Sequence, residues 1–164
     1  MTRLDRSKQS SADGWMQLAA RFLARRDRTV AQVEQFLRSK GALPGQIRHT
    51  LRRLSDLRCL NDHAYAQRWV EQRLLSRPMG QVRIKAELQA KGVAETVADR
   101  VIADAFREVG EEQMARRALD AKQHQGRRLT PAQSVRFLRQ RGFDDETIDG
   151  IVMVARGSDE GLDS

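Results

Sequence analysis

The chain reads as an all-α protein of three tandem three-helix repeats forming an elongated, curved array, and three observations support this. A leucine, two residues, a basic residue and a glycine occur together at 37–41, 88–92 and 138–142, a period of about fifty residues that marks a repeat architecture. Thr29, Ala31, Gln32, Phe36, Leu37, Arg38 and Gly41 return as Thr130, Ala132, Gln133, Phe137, Leu138, Arg139 and Gly142. Apolar residues keep helical spacing from Trp15 onward, and no stretch alternates as a strand would.

Residues 1–13 are polar and are read as a disordered tail. The first repeat spans 14–58. Leu18, Phe22 and Leu23 share a face of its first helix, which ends at the corner Arg25-Arg26-Asp27-Arg28. Thr29 is a good N-cap for a helix with Val30, Val33, Phe36 and Leu37 inward and a stop at Lys40-Gly41. Pro44 suits the first turn of a third helix that buries Ile47, Leu51 and Leu54.

The second repeat spans 59–110. Asn61-Asp62 caps a helix carrying Tyr65, Ala66, Trp69, Val70 and Leu74, and Arg77-Pro78-Met79-Gly80 makes the turn. Val82, Ile84 and Leu88 line the middle helix, and Val93, Val97, Val101 and Ile102 lead the third. In the third repeat, 111–156, Met114, Ala118 and Leu119 supply the first helix and Gly126 the break. Thr130-Pro131 caps the second helix, and Phe137, Leu138, Phe143, Ile148, Ile151 and Val152 complete the core. Asp144, Asp145 and Glu146 fall where free backbone N–H groups favour carboxylates. Residues 157–164 are read as a disordered acidic tail.

Composition narrows the function. A net charge of +8 points to a polyanionic or acidic partner. The surplus is uneven: residues 21–58 hold ten Arg or Lys against three acids, 59–110 is nearly balanced, and 111–143 is basic again. A single cysteine, Cys59, permits no internal disulfide and fits a reducing cytoplasm. No apolar run reaches the ~20 residues of a membrane helix.

Enzymatic constellations are missing. His49, His63 and His124 stand apart from any metal-ligand grouping and read as surface or packing residues. Cys59, between Leu57 and Leu60, reads as a small core residue. Gly41, Gly92 and Gly142 stand singly and read as helix stops, so no phosphate loop, cofactor or metal is expected. Candidate binding residues are therefore the clustered cations: Arg25 and Arg26; Arg38 and Lys40; Arg48, Arg52 and Arg53 on the third helix; and Arg127, Arg128, Arg136, Arg139 and Arg141. Arginine suits such work because its planar fork grips carboxylate or phosphate through two parallel bonds.

Taken together the units resemble the RecX family of recombinase regulators over residues 15–155. The densest part is Leu60-Asn61-Asp62 leading into Tyr65-Ala66, then Gly80, Ile84, Glu87-Leu88 and Lys91-Gly92-Val93, with Arg141-Gly142-Phe143 similar to the closing motif. Asn61 stands where many members have an aspartate, and the Glu87 position is Phe36 and Phe137 in the outer units. The resemblance implies a non-enzymatic, monomeric, cytoplasmic inhibitor. It would lodge in the groove of the RecA filament on single-stranded DNA and restrain ATP hydrolysis, strand exchange and LexA self-cleavage, with only weak affinity for duplex. Short helices joined by tight turns also suit a rival reading, a stand-alone helix-turn-helix DNA-binding protein.

Overall fold

A computed structural model describes residues 3–126 and 129–159, and among them there are nine α-helices and no strand. The helices are α1 (Arg3–Leu23), α2 (Val30–Ser39), α3 (Pro44–Asp56), α4 (Asp62–Ser76), α5 (Gln81–Ala90), α6 (Glu95–Val109), α7 (Glu111–His124), α8 (Pro131–Gln140) and α9 (Asp145–Asp159). They pack as three trios, α1–α3, α4–α6 and α7–α9.

Local chemistry explains the boundaries. Thr29 and Thr130 each close a capping box: the hydroxyl accepts from the amide of Gln32 or Gln133, whose side chain accepts from the threonine amide in return. Gly41, Gly92 and Gly142 end the middle helices with φ of +89°, +81° and +78°, a region that side chains with a Cβ avoid. Asp144 accepts from the Thr147 amide at 2.7 Å at the head of α9. Leu37, Leu88 and Leu138, the leucines of the repeated motif, are each fully buried.

The apolar core is divided unequally. One cluster belongs to the first trio, with Ala19, Val33, Leu37, Ile47, Leu54 and, just beyond α3, Leu60. A second runs continuously from Tyr65 through Ile84, Phe106, Met114 and Leu138 to Ile151, so the second and third trios share one core.

Four sequence expectations change. Helix α1 starts at Arg3, inside the 1–13 segment read as disordered, because a nucleated helix extends at little cost through a stretch free of proline and glycine. Helix α9 reaches Asp159, past the expected boundary at 156; residues 160–164 lie outside the described residues. Cys59 is exposed. It lies beyond the end of α3 at Asp56, where Leu57 is exposed too, and after the turn at Arg58, with φ +56°, only Leu60 comes back in. Val82 is 63% exposed, since the buried stripe of α5 is Ile84 and Leu88 and Val82 lies off it.

Candidate binding surfaces

The two junctions between trios follow one plan. The carbonyl that ends the middle helix of one trio meets the residue capping the middle helix of the trio before it. At the first junction the Thr29 hydroxyl donates to the Lys91 carbonyl at 2.6 Å, and at the second the Gly80 amide donates to the Arg141 carbonyl at 3.0 Å. In both, the leading acid of the following trio caps the first amide of that same middle helix. Val30 N–H donates to Asp62 Oδ1 at 2.9 Å, and Gln81 N–H to Glu111 Oε1 at 3.1 Å. Burial raises the pKa of Asp62 and of Glu111, against the lowering effect of those backbone bonds. The third trio lacks this donor, because Pro131 occupies the position of Val30 and Gln81.

The plan also gathers cations. The basic residue that ends each middle helix sits over an aromatic ring: Lys40 over Phe36 at 5.7 Å, Lys91 over Trp69 at 4.0 Å and Arg141 over Phe137 at 4.9 Å. In the outer trios the ring lies four residues back on the same helix. In the middle trio that position is Glu87, which accepts from Trp69 Nε1 at 3.2 Å and Arg73 Nε at 2.9 Å, so α4 supplies the ring instead.

The predicted cations fall into distinct settings. Arg25 and Lys40 meet with Arg21 around the stacked rings of Phe22 and Phe36, 4.0 Å apart. Arg26 lies exposed beside Arg28. Arg48, Arg52 and Arg53 are all exposed on α3, with Arg53 3.4 Å from Asp13. Arg38 is tied to Glu34 and Arg139 to Asp145, each at 2.8 Å or less, while Arg136 stays exposed. Arg141 donates to the Pro78 carbonyl at 3.3 Å; burial, with Arg77 and Arg83 nearby, pushes its pKa down. Arg127 and Arg128 lie outside the described residues. His49, His63 and His124 are exposed, and no group of three metal-ligating side chains occurs among the described residues.

Sequence reasoning passed over the junction cations, Arg28, Arg68, Arg77, Arg83 and Lys91. Four of these fall within the middle trio's balanced composition, which hid them, yet Lys91 occupies the motif position of Lys40 and Arg141 and could have been read from it.

Comparisons with known proteins agree with this architecture. Residues 16–54 match the family model described as RecX, first three-helix domain, and residues 61–102 the one described as RecX, second three-helix domain. The regulatory protein RecX of Chlorobaculum tepidum is 31% identical over 163 residues, covering 95% of each chain. That of Halorhodospira halophila is 34% identical over 145 residues, covering 87% of this chain and 86% of that protein. The crystal structure of RecX from Lactobacillus salivarius superposes with a TM-score of 0.76 at 23% identity, over 88% of this chain and 96% of that one, and shows a shared fold. Matched along nearly the whole length of such relatives, the chain belongs to the RecX family.

Proposed function

We propose that this protein is a non-enzymatic modulator of RecA that binds as a monomer along the groove of the RecA–single-stranded DNA filament and restrains its ATP hydrolysis, strand exchange and co-protease activity in the cytoplasm. The observation that carries the proposal is the regular placement of one aromatic-backed cation per trio, at Lys40, Lys91 and Arg141. A repeating set of contacts suits a repeating target. Several weak contacts made by one chain multiply, raising avidity by about 10²–10⁴ over a single one when the geometry permits all of them.

Inhibition then follows from differential binding. A chain that bridges neighbouring protomers favours the filament state it spans and opposes the movements that accompany turnover. Arg25, Arg26, Arg48, Arg52 and Arg53 on the first trio and Arg127, Arg128 and Arg136 on the third are the outlying contacts in this reading, with Arg38 already committed to Glu34 and Arg139 to Asp145.

The test is ATP turnover by RecA on single-stranded DNA, titrated with the purified protein. Turnover should fall on titration, and the pair Arg48→Glu, Arg52→Glu should shift the midpoint upward by about tenfold through lost charge complementarity. Unchanged turnover at saturating protein, with tight and sequence-selective binding to naked duplex, would replace this reading with the helix-turn-helix one.

A further inference from the structure

Between the first and second trios lies an open groove whose walls carry Arg26, Arg28, Arg68 and Lys91 around Tyr65 and Trp69. Four cations face a single lining carboxylate, Asp27, which Arg68 already holds at 2.7 Å. Arg28 is the most telling. Its guanidinium stacks over Phe22 at 4.3 Å, and its Nε is buried with no acceptor. A buried donor left unpaired is costly, and the guanidinium that carries it lines the groove.

We propose that this groove holds an acidic segment of a protein partner, its carboxylates paired with Arg28, Arg26 and Lys91. The aromatic lining decides between a peptide and a nucleic acid strand. Trp69 has Arg73 and Lys91 over its ring at 4.3 and 4.0 Å, and its indole N–H is spent on Glu87. A stacked base would have to displace one of those cations, so the ring offers no platform of the kind that single-strand binders use. Tyrosine, tryptophan and arginine gathered in one depression are instead the residue types that anchor protein interfaces. Burial and the neighbouring Arg26 lower the Arg28 pKa, so a carboxylate there meets a cation whose charge is poorly compensated.

Because the walls come from both trios, an occupant would also clamp the first trio to the second, where the apolar core is interrupted. The proposal deepens the filament reading by assigning the place where the partner's acidic segment is gripped.

The experiment uses the full chain and two labelled probes, a ten-residue peptide of alternating Glu and Ala and a fifteen-residue oligothymidylate, titrated by fluorescence anisotropy. The double variant Arg26→Ala, Lys91→Gln should weaken peptide binding at least tenfold, as should Arg28→Gln; Arg26 is exposed and Lys91 is bound through its carbonyl, so the double variant keeps its fold even where Arg28→Gln does not. The pair Arg100→Ala, Lys122→Ala removes equal charge from exposed helix positions outside the groove and should change peptide binding less than twofold. Equal losses in both double variants, or a groove-dependent loss seen with the oligothymidylate instead of the peptide, would overturn the proposal. RecA ATP turnover separates the two readings. Restraint by wild type and by Arg28→Gln alike removes the groove and keeps the filament reading, whereas no restraint by wild type together with groove-dependent peptide binding removes the filament reading and keeps the groove.

Discussion

The two junctions share a hydrogen-bond plan but not a core. At the second, the apolar cluster passes from the middle trio into the last without interruption. At the first, the clusters stop on either side, and Thr29, Val30 and Asp27 reach across to Lys91, Asp62 and Arg68 through polar contacts. Apolar burial is non-directional and scales with area, whereas polar contacts made in exchange for water contribute about 1 kcal/mol each. The last two trios should therefore unfold together, with the first docked to them as a more separable body.

The largest expected effect tests that division. Leu37 and Leu88 occupy the same motif position and are both fully buried, so replacing either by alanine should cost about 2–5 kcal/mol. The consequences should differ in extent. Leu37→Ala should raise amide hydrogen exchange within 14–58 and leave the slowest amides of 62–151 protected, while Leu88→Ala should release both later trios at once. Loss of protection throughout the chain in Leu37→Ala would show the first junction to be as cooperative as the second.

The motif glycines give a finer comparison, because one local conformation meets three different surroundings. A Cβ on Gly142 would fall 2.6 Å from the Arg83 backbone nitrogen and 2.4 Å from its Cβ; on Gly92 it would fall 2.3 Å from the Ala31 methyl; on Gly41 it would meet nothing within 4 Å. All three pay the strain of positive φ, roughly 1–2 kcal/mol. Only the later two add a collision, and at Gly142 part of it is with backbone that cannot rotate away. Urea unfolding should rank the alanine variants Gly142 as most costly, at about 3 kcal/mol or more, then Gly92, then Gly41 at about 1 kcal/mol. Equal losses would mean that the glycines serve helix termination alone and the junctions do not press on them.

What could be read from sequence divides along the same line. The helix stops at Lys40-Gly41, Lys91-Gly92 and Arg141-Gly142, the threonine caps and the inward leucines are set by residues within four positions of one another, and period and cap chemistry expose them directly. The junction bonds join residues 30 to 63 positions apart, and nothing local to Thr29 announces that its hydroxyl will find the Lys91 carbonyl. Counting charge along the chain located the basic outer trios but missed the groove, whose cations come half from the balanced middle trio. Cys59 misled for a related reason: apolar neighbours imply burial only while the helix continues, and it had already ended at Asp56.

The smallest effect concerns the carboxyls that cap across the junctions. Asp62 takes one donor, the Val30 amide, whereas Glu111 takes both the Gln81 amide and the Gln81 side chain, the latter at 2.5 Å. For each, burial is the leading cause of a raised pKa. Between the unfolded and folded pKa values the folded state then binds more protons, so these groups make stability fall as pH rises through a window just above the usual carboxylate range. Asp62→Asn keeps an acceptor for Val30 and loses the titration. It should match wild type at pH 4 and exceed it by about 0.5 kcal/mol at pH 7, a figure kept small because water reaches this half-buried site. Glu111→Gln should gain less, since the second Gln81 donor compensates the glutamate charge that the substitution removes. Paired urea titrations across that range check it, and a difference between Asp62→Asn and wild type that stays constant with pH would mean that this carboxyl titrates alike in the folded and unfolded chain.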